Sequence, residues 1–135
     1  MKIELAKVRC MIEKDAVLSK ISIIKNRLDR IKKVTKLKPD SLNEYDKQDI
    51  FVLNLQRAIQ AATDIANLII SANQYRLPNS YKMAFHILFE NGWIESETSK
   101  LMQKMVGFRN IAIHDYQEID VEILKSILIK KFVGL

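Results

Sequence analysis

The 135-residue chain predicts an all-α protein, an up-and-down antiparallel bundle of four to five helices forming a single domain over residues 1–135. Three observations lead there. Apolar residues recur at steps of three, four and seven along nearly the whole chain, and no stretch alternates with a period of two for long enough to make a strand. Capping and breaking residues punctuate those runs where helix ends are needed. With 48% apolar residues, the chain is also long enough to bury roughly two-thirds of the surface its unfolded form exposes, so a core needs neither disulfides nor a structural metal.

The first helix is expected from about Ile3 to Thr35. Ile3, Cys10, Val17, Ile21, Ile24, Leu28 and Ile31 lie on one face of it, and Cys10 on that stripe reads as packing rather than chemistry. Lys7, Lys14, Lys25 and Lys32 fall close to one line along the same helix and make a basic stripe. The polar segment KLKPDSLNEYD (36–46) follows, with Pro39 as breaker and Asp46 as the expected N-cap of the next helix. It is either a surface connection or a mobile flap. The second helix, about Lys47 to Tyr75, is apolar over most of its circumference. Ala58, Ala61, Ala62 and Ala66 allow close neighbours, and Asn54, Arg57, Gln60, Asp64, Asn67 and Ser71 make a polar line. It is the central helix of the bundle or part of a subunit interface. Arg57 and Asp64 read as structural.

Leu77-Pro78 is expected to close that helix. Ser80 caps a third, Tyr81 to Asn91, which stops at Gly92; a fourth begins at Ser96 and runs past Gly107; Asp120 opens a fifth, Val121 to Phe132.

The net charge of +6 is uneven, with residues 1–38 carrying +8 and residues 39–135 carrying −2. Such a basic element suits an anionic partner, because each neutralised phosphate releases counterions, although a solvated lysine-rich face has the same composition. The lone Cys10 excludes an internal disulfide and fits a reducing cytosol. The charged N-terminal stretch MKIELAKVRCMIEKD does not read as a signal peptide, and no apolar run reaches the roughly 18 residues of a membrane span, so a soluble, cytoplasmic protein with no membrane partner is expected. Three scattered glycines, Gly92, Gly107 and Gly134, build no phosphate-binding loop.

The candidates for chemistry are few. His86, set among Met83, Phe85, Ile87, Leu88 and Phe89, reads as a core-edge residue. His114 lies in GFRNIAIHDYQEID, where Arg109, Asn110, His114, Asp115 and Tyr116 interrupt an apolar helix. No metal-ligand spacing and no nucleophile elbow is present, so no metal and no cofactor are expected. Imidazole and guanidinium remain, and they suit RNA cleavage: the 2′-hydroxyl is a built-in nucleophile, a histidine moves the protons, and an arginine stabilises charge on phosphorus. On an ideal helix Arg109 and His114 stand about 140° apart. Either the backbone departs from ideality here, or a second subunit completes the site across a two-fold axis. Asn110 and His114, four apart, share a face.

The run Arg109-Asn110-Ile111-Ala112-Ile113-His114-Asp115-Tyr116 resembles the signature of HEPN-domain ribonucleases, specifically the HepT-like toxins. The resemblance extends to NLQRAIQAATDIAN (54–67), to KMVGFRNIAIHDY (104–116) and to the helix order, covering most of the chain after the loop. It implies an HEPN-like homodimer in which Arg109 and His114 are catalytic without metal and Asn110 supports them. It also implies a partner, a minimal nucleotidyltransferase antitoxin that transfers AMP to Tyr116, where bulk and negative charge would block RNA. Lys7, Lys14, Lys25 and Lys32 are the expected RNA-binding residues. The competing readings are a non-catalytic helical module that binds nucleic acid or protein, and a nucleotide-binding sensor.

Overall fold

The computed structural model describes the backbone of residues 2–133 and the side chains of residues 14–132. The side chains of Lys7 and Cys10 thus lie outside the described residues, as does Gly134. The helices run α1 (Lys2–Thr35), α2 (Tyr45–Ala72), α3 (Tyr81–Glu90), α4 (Ser96–His114) and α5 (Val121–Leu128). Short 3-10 turns occupy Pro39–Asn43 and Tyr116–Glu118, and α5 continues into a π-helical turn, Ile129–Val133. The described residues contain no strand, as the missing period-two pattern requires.

Antiparallel pairing can be read from the cross-links. Lys20 pairs with Asp64 at 3.0 Å and Arg27 donates to Asn54 at 3.3 Å, so positions on α1 rise as those on α2 fall. The Ser99 hydroxyl donates to the Phe85 carbonyl at 3.2 Å, and the Arg109 guanidinium lies over the Tyr81 ring, which gives α3 and α4 the same relation. α2 packs against α1, α3 and α4 and is the central helix expected from its apolar circumference. Ala58, Ala61 and Ala66 are buried on it beside Phe51, Ile59 and Ile70. Its polar line is mostly internal scaffolding: Asn54 is buried with Arg27, and Gln60 and Lys20 both hold Asp64, while Arg57 is exposed. Asp64 thus acts as a strut between the first two helices.

Two helix ends differ from expectation. α2 begins at Tyr45, its N-cap is Glu44 rather than Asp46, and Asp46 instead contributes negative charge to the first turn, where the helix dipole favours it. α2 also stops at Ala72, before Tyr75 and well before Pro78. Gln74 takes φ 55°, its N–H donates to the Ser71 carbonyl and the Tyr75 N–H to the Ile70 carbonyl, the paired bonds of a Schellman ending. A glutamine in the position that usually favours glycine hid this stop. α3 ends the same way at Gly92 (φ 79°), with Trp93 N–H bonded to the Leu88 carbonyl. The two endings meet where the Trp93 indole donates to the Tyr75 hydroxyl at 3.0 Å. Ser80 and Asp120 cap α3 and α5 as expected, accepting from Met83 and Glu122 N–H groups.

The 36–46 segment is an anchored connection. Leu42 is fully buried, the Pro39–Asn43 turn packs on α1, α2 and α5, and Leu42 shares one core cluster with Phe51, Leu124 and Leu128. Truncating Leu42 to Ala therefore removes a core side chain, and denaturant unfolding should register a loss of about 3 kcal/mol. A mobile flap would register almost none.

Candidate functional site

α4 is helical without interruption from Ser96 to His114. Its first departure from helical backbone is at Asp115 (φ −145°, ψ 48°), whose N–H still donates to the Ile111 carbonyl at 2.7 Å. Arg109 and His114 therefore keep the angular separation of an ideal helix, about 140°. Of the two routes to a joint site, a distorted backbone is not the one this chain takes. No hydrogen bond or ion pair joins the two side chains among the described residues.

Each of the two sits in a different setting. Arg109 is half-buried against α3, with its guanidinium carbon 5.4 Å from the centroid of Tyr81, a cation-π distance. Its Nε is buried and has no hydrogen-bond partner among the described residues. His114 is the last residue of α4 and is exposed. Over the last turn and a half only Ala112 is buried, whereas Asn110, Ile111, Ile113 and His114 face solvent, the two isoleucines at 48% and 42% exposure. Two large apolar side chains interleaved with the polar motif are unusual for a helix end with no further partner.

Asn110 lies on the rim of a groove of about 480 Å³ between the start of α3 and the middle of α4. Asn67, Asn79, Tyr81 and Lys82 share its wall. The Lys82 ammonium reaches across α4 at Gly107, within 3.5 Å of where a β-carbon would stand. His114 is not among the residues lining this groove.

Tyr116 opens the 3-10 turn that follows α4, and its hydroxyl donates to Asp49 on α2. Partial burial, the hydrogen bond to Asp49 and the negative charge of that carboxylate, in that order, push the phenol up to about 12. Asp49 gives no sign in the sequence, where an exposed aspartate near a helix start reads as a dipole partner. Tyr81 and Lys82 were legible only as the opening residues of a capped helix.

The basic stripe stands apart from these groups. Lys14, Lys25 and Lys32 are exposed on α1, while Lys20 is engaged by Asp64. α1 packs on α2 and the Pro39–Asn43 turn; α4 packs on α3 and α2. His86, half-exposed, bonds Glu90 at 3.0 Å, and Glu90 also holds Arg76, so the second histidine is part of a surface ion cluster. No helix among the described residues is long and apolar enough to cross a membrane.

An all-α bundle with an Arg-x4-His motif in the last turns of its fourth helix defines an HEPN-type domain. The ribonuclease HepT-like family model matches residues 24–135, and the chain belongs to that family. It is 38% identical over 114 residues to the mRNA nuclease HepT of Shewanella oneidensis, covering 84% of this chain and 86% of that protein. Among solved structures it is similar to a tri-AMPylated Shewanella oneidensis HEPN toxin in complex with MNT antitoxin (36% identity, TM-score 0.82, 89% and 90% of the two chains). It is also similar to a toxin–antitoxin crystal structure with AMP-PNP (37% identity, TM-score 0.80, 84% and 86%). The chain is a homologue of HEPN toxins and shares their fold.

The raised Tyr116 phenol gives a direct test of its environment. A phenol held above its usual value stabilises the fold fully below about pH 10, and that contribution is lost as pH rises through about 12. Spectrophotometric titration at about pH 11 should leave the Tyr116 phenol un-ionised. Tyr116→Phe should remove that late-titrating group, and a titration curve unchanged at high pH by this substitution would contradict the geometry.

Proposed function

We propose that this chain is the toxin of a toxin–antitoxin pair, an endoribonuclease that cuts RNA with Arg109 and His114 at a homodimer cleft and is silenced by AMP transfer to Tyr116 from a cognate nucleotidyltransferase antitoxin. The observation that carries the reading is the intact Arg109–His114–Tyr116 motif across the C-terminal end of α4 and the turn that follows it, in a chain 38% identical to an mRNA nuclease.

In this reading the 2′-oxygen attacks the adjacent phosphorus, a new P–O bond forms and the bond to the 5′-oxygen breaks. His114 handles the protons, and the Arg109 guanidinium takes up the charge that accumulates on the phosphoryl oxygens. Its unpartnered Nε–H is a donor suited to such an oxygen. Because α4 separates the two side chains, the imidazole acting with one Arg109 comes from the second protomer, and the exposed Ile111 and Ile113 supply apolar surface for that association. Asn110, between groove and motif, positions substrate. RNA approaches along Lys7, Lys14, Lys25 and Lys32, with the side chain of Lys7 included on sequence grounds alone. The chemistry as proposed draws on no metal or cofactor. The setting is the cytoplasm, as the single cysteine suggests.

His114→Ala should lower RNA cleavage by about 100-fold or more while sedimentation still reports a dimer. Full cleavage by that variant overturns the reading. A chelator should leave the wild-type rate unchanged. Ile111→Glu should convert the dimer to monomer and abolish cleavage with it, measured by the same sedimentation and cleavage assays.

A further inference from the structure

Four tyrosines are available on this chain, and the structure treats them differently. The Tyr75 hydroxyl accepts from Trp93, the Tyr81 ring lies under Arg109, and Tyr45 is 80% exposed. Among the described residues only Tyr116 donates its phenolic hydrogen to a carboxylate, that of Asp49. The two residues are 67 positions apart and come from different elements, so the contact is made by the tertiary fold. Asp49 is itself exposed and takes part in no ion pair among the described residues. Nothing in RNA cleavage as derived above uses it.

A phenol with an ordinary pKa near 10 is almost wholly protonated at neutral pH, and a neutral phenol is a poor nucleophile toward phosphorus. Tyr116 is held still more firmly in the neutral form. Its proton must therefore leave during the transfer, and it needs an acceptor within hydrogen-bond reach of the hydroxyl. Asp49 already occupies that place.

We propose that Asp49 is the general base for modification of Tyr116, so that the toxin supplies from its own α2 the proton acceptor used when a nucleoside triphosphate is attacked by its phenol. The proposal rests on the reading of Tyr116 as the modified residue. In the step, the Tyr116 oxygen forms a bond to the α-phosphorus and the bond from that phosphorus to the bridging oxygen of the β-phosphate breaks. Pyrophosphate leaves with the electron pair, and the phenolic proton passes to the Asp49 carboxylate and then to solvent. The antitoxin then binds and orients the triphosphate, and selection of one tyrosine over the other three follows from which phenol carries its own base.

The test is a time course of adenylyl incorporation, followed by intact mass, with ATP, magnesium and the cognate nucleotidyltransferase. Wild type, Tyr116→Phe, Asp49→Asn and Asp49→Glu are compared. Asparagine keeps an acceptor oxygen but not the basicity; because Asp49 is exposed, the core is untouched and circular dichroism should match wild type. The expected result is a fall of roughly 100-fold in the maximal rate for Asp49→Asn, with the KM for the chain unchanged and partial recovery in Asp49→Glu. Asp49→Asn modified at the wild-type rate overturns the proposal while leaving Tyr116 as the target. A loss seen only in KM also overturns it, because it would mark Asp49 as part of the docking surface. Modification of Tyr116→Phe to the wild-type extent would overturn the Tyr116 reading, and this proposal with it.

Discussion

The arrangement of this molecule depends on how closely other elements approach α2. Ala58, Ala61 and Ala66 are almost completely buried along that helix, and they leave room for α1 on one side and α3 with α4 on the other. A helix that must be covered on several sides fixes where its neighbours go. The Lys20–Asp64 and Arg27–Asn54 links then fix the register of the first pair. The placement of the motif follows from the same constraint: α4 is held against its neighbours through Val106 and the Ser99–Phe85 hydrogen bond, and over its last turn and a half only Ala112 stays buried. α2 also reaches the motif directly, because Asp49 near its start receives the Tyr116 hydroxyl.

Charge and polarity are divided in the same way. The positive excess lies on α1, which packs on α2 and the Pro39–Asn43 turn, and the groove beside Asn110 has its own cation in Lys82. On the proposed reading, long-range attraction for a polyanion and short-range contact with a phosphate fall to different elements. Arg109 is held by stacking on Tyr81 with no ion pair among the described residues, which leaves its charge uncompensated and available.

Most of the fold was legible from periodicity and from caps whose chemistry is local. Ser80 and Asp120 cap helices because their side chains reach an N–H two or three residues on, and Gly92 ends one because it tolerates a positive φ. The end of α2 was not legible, because Gln74 adopts that same backbone region without being the residue that advertises it. The site divided along similar lines. Arg109, Asn110, His114 and Tyr116 stand within eight positions and could be read as a motif. Asp49, Tyr81 and Lys82 reach the same region only through packing, and nothing in their own neighbourhoods of sequence indicates it. The setting of His114 on the far side of α4 from Arg109 was a matter of helix geometry and needed only the fact that the helix is unbroken.

The Pro39–Asn43 turn has a consequence for the order in which the molecule assembles. It forms part of the seat on which α5 rests, with Lys125 near Asp40 and Leu124 and Leu128 in one cluster with Leu42. That seat exists only once the α1–α2 hairpin has formed, and joining it to α5 closes a loop that contains nearly all of α2, α3 and α4. Closing so long a loop costs more chain entropy than pairing two neighbouring helices, and the burial of Leu42, Leu124 and Leu128 offsets it. The Tyr116–Glu118 turn leads straight into α5, so the segment that carries Tyr116 is held in place by that long-range closure.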